Sequence, residues 1–376
     1  MLHLTEEQIA VRDTFARFTD AEIIPAAEAI DEAHEYPKAM VKRLADLGFV
    51  GMRYPEEAGG SGVDLVTCCL ALEEVARGSM SVAACVTMQA LMGTKFLEML
   101  GNDDIRERLF KPALALDKIG AICMTEPDAG SDLASISTRA VETDGGYILN
   151  GAKTWVTSAP VADFFTVFAR AGDEDKLTIF LVEKDFGGLV IGRPIEKMGV
   201  WALPTSEVAF NDCFVPASHR LSAEIGDGEE HLRKLLSEIR IATAVLGVGI
   251  ARAALDEAVR YAGERKQFGK PINRFQAVQM RLADMATDLE AARHISYHAA
   301  QLLDAGAPHR KEASMAKLFA TEAAARVCDN AARIFASYGY AMEYPVQRFL
   351  RDVRFTLIGG GTFAILKLVI AKELSV

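Results

Sequence analysis

Up to about Lys111, apolar residues recur at helical spacing: Ile9, Val11, Phe15 and Phe18 approximate steps of three and four. Thr5-Glu6-Glu7-Gln8 has the form of a capping box and predicts a helix starting just after Thr5. Gly59-Gly60-Ser61-Gly62 then separates two helical stretches with residues that tolerate left-handed backbone. From about Ala113 to Leu221 the texture changes to short β-rich runs: Tyr147-Ile148-Leu149, Trp155-Val156-Thr157, Phe164 to Phe168, Leu177 to Val182 and Val208 to Phe210. Asp144-Gly145-Gly146 and Asp185-Phe186-Gly187-Gly188 supply turns between them. From about Glu229 the helical period returns, and Phe275, Val278, Leu282, Met285, Leu289 and Ala292 form one continuous seam suited to bundle packing. The expected fold is α+β: an N-terminal helical domain over 1–112, a small central antiparallel β domain, barrel or sandwich, over 113–225, and a C-terminal four-helix bundle over 226–376.

Composition narrows the function classes. The chain has 376 residues, half of them apolar, with a formal net charge of −11 and no basic block. A polyanionic partner is therefore not expected, so nucleic-acid binding is excluded as a leading reading. No uninterrupted apolar run reaches the length of a membrane span; the best, Ile241 to Ala251, stops at Arg252. The start of the chain lacks the basic-then-apolar pattern of a signal peptide. Six scattered cysteines with no CxxC pair read as reduced thiols, and a cytoplasmic protein without membrane attachment is expected.

Familiar chemistry motifs are missing. There is no Walker sequence, HExxH or GxSxG, and Gly247-Val248-Gly249-Ile250-Ala251-Arg252 lacks the third glycine of a dinucleotide loop. Glu290, His294 and His298 share one helical stripe, yet no second ligand cluster accompanies them, so a solvated face is preferred and no metal is expected. Gly359-Gly360-Gly361-Thr362 precedes an apolar helical stretch; its free backbone N–H groups could hold an anion, or the segment is a plain turn capped by Thr362. Met124 to Asp132 and Asn150 to Thr157 could line a flat aromatic ligand, the alternative being two decorated β-turns.

Taken in order, "MTEPDAGSD", "LNGAKTWVTS", "KMGVWALPTSEVAF", "RKQFGKPINRFQAVQMRLADM" and "YGYAMEYPVQRFLRDVRF" resemble the acyl-CoA dehydrogenase family almost end to end. The resemblance implies FAD held at a subunit interface of a homotetramer or homodimer, and an acyl-CoA or acyl-carrier thioester as substrate. Electron-transfer flavoprotein or another acceptor would reoxidise the cofactor. It assigns Met124 and Thr125 to the flavin pyrimidine edge, Trp155 and Thr157 to the ring, and Ser131 to the cofactor or to substrate. A second subunit would bring Arg265, Gln267 and Phe268, with Gln276 nearby, to the other half of FAD. Arg333, in Arg333-Ile334-Phe335-Ala336-Ser337 where the family has Gln-x-x-Gly-Gly, would face the diphosphate, and Gly361 and Thr362 join the cofactor set.

The departure lies at the catalytic base. Family chemistry needs a glutamate to take the α-proton while a hydride leaves Cβ. Most members carry it directly before the Gly-Thr of the last helix, where this chain has Gly360; a minority carry it before an arginine equivalent to Arg240, where this chain has Ile239. Glu238 is the candidate nearest by, although one helical step turns a side chain by about 100°; otherwise it is a surface carboxylate paired with Lys234. Arg240 is expected to line the acyl pocket. Phe363, Ala364, Trp201 and Leu203 also depart from the family and suggest a remodelled acyl end. Three readings follow: an acyl-thioester dehydrogenase with an unusual substrate or a non-standard or missing base, a desulfinase-like enzyme cleaving the C–S bond of 3-sulfinopropionyl-CoA, or a non-catalytic FAD-binding subunit of a heteromeric dehydrogenase. Against the desulfinase, no cation stands in the helix around Ala84.

Overall fold

The computed structural model describes residues 4–375. The first helix, Glu6–Phe18, begins as its capping box dictates: the Thr5 hydroxyl accepts from Gln8 N–H while the Gln8 side chain accepts from Thr5 N–H. Asp64 and Ser79 cap Leu65–Gly78 and Met80–Thr87 in the same manner, each accepting from the backbone three residues on. The most span-like run is 80–100, not 241–251; its most apolar 18-residue stretch is 67% buried inside the fold, where it serves as core.

The middle of the chain is a seven-stranded sheet: β1 (Gly120–Cys123), β2 (Arg139–Thr143), β3 (Gly146–Thr157), β4 (Phe164–Ala171), β5 (Lys176–Glu183), β6 (Leu189–Pro194) and β7 (Thr205–Pro216), in the order β1-β4-β2-β3-β7-β6 with β5 also on β4. Most pairings are antiparallel, but β1 and β2 run parallel to β4, at Gly120–Cys123 against 164–167 and at 139–140 against 170–171. Parallel neighbours need a crossover connection, and the β2–β3 hairpin provides it. The runs around Tyr147 and Trp155 are one strand, turned back on β2 at Asp144-Gly145 with Gly145 at φ +78. Strand alternation divides β4 between two cores. Phe164 and Phe168 point to the helices, where Phe168 meets Phe96 edge-on, while Phe165, Val167 and Ala169 fill the sheet's own core.

The C-terminal region holds three long helices, Gly228–Glu264, Gln276–Asp304 and Arg310–Phe335, followed by Pro345–Thr356 and Phe363–Glu373. Met285, Leu289 and Ala292 of the expected seam are buried. Gly249 is a packing glycine: a Cβ there would stand 2.5 Å from Ala76 Cβ and 2.7 Å from Glu73 O, so only glycine lets helix Leu65–Gly78 approach. Beside that contact Glu73 accepts from Arg293 and Tyr297, and Glu74 from Arg252 and Arg77. These buried groups are paired, as burial requires, and they tie the N-terminal helices to the bundle.

Candidate active site

Two of the family-like segments are fastened together by a buried ion pair. Lys153 Nζ lies 2.8 Å from Glu126 Oε1, with both side chains almost wholly buried, and it also donates to Met124 O at 3.1 Å. Glu126 accepts further from Ser137 N–H, Ser137 Oγ–H and Thr138 N–H. Burial alone would raise its pKa; the lysine and these donors overcome that and hold the carboxyl down at about 2. Thr154 N–H donates to Thr125 O, completing the junction.

This junction aims Trp155. Between the pairs Lys153–Val208 and Val156–Ser206, β3 has two residues, Thr154 and Trp155, where β7 has only Glu207. The result is a β-bulge, which redirects side chains locally. Trp155 takes φ +55, a strained value for a bulky residue, and its ring is 56% exposed. Met124, Thr125 and Thr157 sit half-buried beside it, and Ser131 is exposed further along the loop.

A second group gathers where the long helix Gly228–Glu264 meets the glycine loop. Gly360 and Gly361 have φ +73 and +109. A Cβ on Gly360 would stand 3.5 Å from Ile239 Cγ2 and 3.3 Å from Thr243 Oγ1. The two positions at which the family resemblance places a base thus face one another in close contact, and neither is acidic. Lys317 supports the loop from beneath: it is 1% exposed and donates to Gly361 O at 2.7 Å and Leu357 O at 3.3 Å. Burial, with Arg240 as a like charge nearby, lowers its pKa to about 8. Arg240 is 5% exposed, and its Nη1 donates to Ser314 Oγ at 3.2 Å. Thr362 occupies the N-cap of the last helix without a side-chain capping bond, so the plain capped turn is not what forms.

Glu238 is neither at the surface nor paired with Lys234. It is buried, its Oε1 sits 2.8 Å from Arg53 Nη2, and Lys234 pairs instead with Glu230. Arg53 reaches Asp304 as well, so Glu238 belongs to a clamp between the N-terminal domain and the bundle. The Ile239 and Thr243 side chains, not Glu238, bound the Gly360 gap. Trp201 also serves packing: its ring lies between His34, at 4.3 Å, and the Arg351 guanidinium, at 3.8 Å. Leu203 is core, and Phe363 and Ala364 are exposed.

The remaining sequence candidates lie on the outside. Lys266–Gln267 and Lys270–Pro271 form a hairpin whose tip, Phe268-Gly269, has φ +49 and +78, as a two-residue primed turn demands. Phe268 is 92% exposed. Arg265 stacks over Tyr338 at 5.5 Å, Gln276 opens the next helix in solvent, and Arg333 is exposed and paired with Asp329. Glu290, His294 and His298 form a solvated face on which Glu290 pairs with Arg293; no metal-ligand group of three occurs among the described residues.

Three sequence profiles match in succession: "Acyl-CoA dehydrogenase, N-terminal domain" over residues 5–117, the middle domain over 121–213 and the C-terminal domain over 226–375. The chain belongs to the acyl-CoA dehydrogenase family. A relative named benzylmalonyl-CoA dehydrogenase, from Aromatoleum aromaticum, is 72% identical over 372 residues, 99% of each chain. Butyryl-CoA dehydrogenase from Megasphaera elsdenii superimposes with a TM-score of 0.94 at 34% identity, covering all of both chains. PigA with FAD and proline superimposes at 0.96 with 29% identity, covering 100% of this chain and 99% of the other. The chain is an acyl-CoA dehydrogenase-type oxidoreductase of an FAD-dependent family. Neither desulfinase-like cleavage nor a non-catalytic subunit is favoured by these likenesses. Sequence reasoning missed Glu126, Lys153 and Lys317. Lys153 did carry a signal: a lysine in mid-strand, on the side of the alternation shared by Leu149 and Tyr147, demands a buried acid.

Proposed function

We propose that this chain oxidises the Cα–Cβ bond of a thioester whose Cα carries a carboxylate, of the benzylmalonyl-CoA type, and that loss of this carboxylate replaces removal of an α-proton. The observation that carries the reading is that Gly360 and Ile239, the two positions where the family resemblance expects a base, face one another and neither is acidic. A dehydrogenase acting on a plain acyl-CoA forgoes about 10²–10⁴-fold in rate without its base. A malonyl-type substrate has no such need. When its Cα–carboxylate bond breaks, the electron pair stays on Cα as a thioester enolate and CO2 departs. The same pair then forms the Cα=Cβ bond as a hydride leaves Cβ. FAD, when bound, supplies the acceptor for that hydride. The name of the 72% identical relative describes a substrate of this kind.

The described residues fit the cofactor. Trp155, exposed on strained backbone, with Met124, Thr125 and Thr157 beside it, forms a wall for a flat ring system. Phe268 is an apolar side chain with almost no cover, which a second copy of the chain would provide. We assign Arg265, Gln267, Phe268 and Gln276 to FAD of a neighbouring subunit in a homotetramer or homodimer, and Arg333, Gly361, Thr362 and Ser131 to its outer contacts. Five of six cysteines are buried and all are free, which suits a cytoplasmic setting. Electron-transfer flavoprotein or another acceptor would complete the cycle.

The test compares two thioesters that differ only in the α-carboxylate. Anaerobic benzylmalonyl-CoA should bleach the FAD-saturated protein and release one CO2 per flavin reduced, while 3-phenylpropionyl-CoA should bleach it at least about 10²-fold more slowly. Equal rates, or bleaching without CO2, would refute the proposal.

A further inference from the structure

Buried charges in this fold are paired almost everywhere: Lys153 with Glu126, Arg293 with Glu73, Arg252 with Glu74, Arg53 with Glu238. Arg240 is the departure. It is 5% exposed and, among the described residues, its Nε has no partner and its one hydrogen bond goes to the neutral Ser314 hydroxyl. The charged groups that act on it are cationic: Arg310 lowers its pKa, and Arg240 in turn depresses Lys317. Arg310 is neutralised at its own end by Glu373. Lys317 is satisfied by two backbone carbonyls of the glycine loop, which carry no net negative charge. Two buried cations therefore lie near one another; Glu322 acts on Lys317 as an opposite charge, whereas no acid acts on Arg240. An arrangement of this kind is costly unless an anion enters it.

Position says which anion. Arg240 lies about one helical turn before Thr243, whose Oγ1 stands 3.3 Å from where a Cβ on Gly360 would be, and it acts electrostatically on Lys317. Lys317 holds the far side of the same loop through Gly361 O. We infer that Arg240, with Lys317 behind the glycine loop, forms the subsite that receives the substrate's α-carboxylate and thereby selects 2-carboxyacyl thioesters over plain ones. The inference rests on the function proposed above. A planar guanidinium with a free Nε suits a carboxylate. Glycine at 360 brings no carboxylate of its own to this corner, whereas a glutamate there would repel that group.

Binding separates this inference from the reaction. Malonyl-CoA carries the α-carboxylate but has no Cβ hydrogen to lose, so its affinity for the FAD-saturated enzyme can be set against that of acetyl-CoA by calorimetry. The unsubstituted protein should bind malonyl-CoA about 10- to 100-fold more tightly. Arg240→Met should erase that preference and raise KM for benzylmalonyl-CoA, and Arg240→Lys should restore part of it. Equal affinity for the two thioesters in the unsubstituted protein overturns the inference. So does an Arg240→Met protein that retains the preference. If Arg240→Met fails to fold, Arg240→Lys and Ser314→Ala decide: a preference undiminished in both overturns the subsite. Failure of the proposed reaction would appear elsewhere, as absent CO2 release by the unsubstituted enzyme whatever the binding preference.

Discussion

The wall around Trp155 and the corner around Gly360 solve opposite electrostatic problems. At the first, a buried lysine and a buried glutamate neutralise one another, and four donors surround the carboxylate. That surplus of constraints lets the chain keep a tryptophan at φ +55. At the second, two buried cations stand near the contact of Gly360 with Ile239 and Thr243, and no acid acts on Arg240. The first region is neutralised within the protein; the second is the one for which we infer an entering anion. The lesson is that, on the proposed function, the wall assigned to the cofactor keeps the family's segments, whereas the corner assigned to the acyl group has a glycine and an isoleucine where the family resemblance expects an acid, with buried positive charge close by.

Breaking the first region should have the largest effect. Lys153→Met leaves Glu126 buried without its counter-charge, and removing one partner of such a pair costs about 3–5 kcal/mol. The midpoint of thermal unfolding should fall steeply and flavin retention on gel filtration should be lost; an unchanged midpoint would mean the pair is not what fastens the wall. Next comes conversion of the second region. Ile239→Glu places a carboxylate on regular helical backbone beside Arg240, and anaerobic bleaching by 3-phenylpropionyl-CoA should rise about 10²-fold. Gly360→Glu should gain less, because φ +73 costs a non-glycine residue roughly 1–2 kcal/mol. The reverse ranking would show that the loop relaxes freely.

Acid should then distinguish the regions without any substitution. The Glu126 carboxyl titrates near 2 in the folded protein against an ordinary 4.5, so the unfolded chain takes up its proton first as pH falls. Its contribution to stability is whole above about 4.5 and declines from there toward 2. In Glu126→Gln that segment of the stability–pH curve should flatten; a curve of unchanged slope would exclude the carboxylate as its source. The smallest effect belongs to the outer cofactor contacts. Ala336 holds φ +53 and ψ −126 where the family has glycine, and Ala336→Gly should stabilise by about 1 kcal/mol in chemical denaturation.

Much of the fold could be read from local pattern, because its signals act over a few residues. The capping box at Thr5, the Asp144-Gly145 turn and the seam through Met285 and Leu289 each depend on neighbours within one or two turns of chain. β1, β2 and β6 escaped notice: four apolar residues in β1 are too few to show a period, and Arg139–Thr143 and Leu189–Pro194 carry mixed polarity on a half-exposed sheet. The parallel pairings of β1 and β2 with β4 come from residues some thirty to forty positions along the chain. Glu238 misled for the same reason, since its partner Arg53 is distant in sequence while Lys234 is one turn away.

The order of residues alone determined the three-part architecture, the family and the absence of an acid at both Gly360 and Ile239, since each is a matter of identity at a position. Tertiary structure decided that those two positions meet, that Lys153 answers Glu126, and that Arg240 is buried without a counter-ion among the described residues. Charge and type are properties of single residues, but whether a charge is compensated depends on which distant groups folding brings within a few ångströms and on how much water it leaves between them.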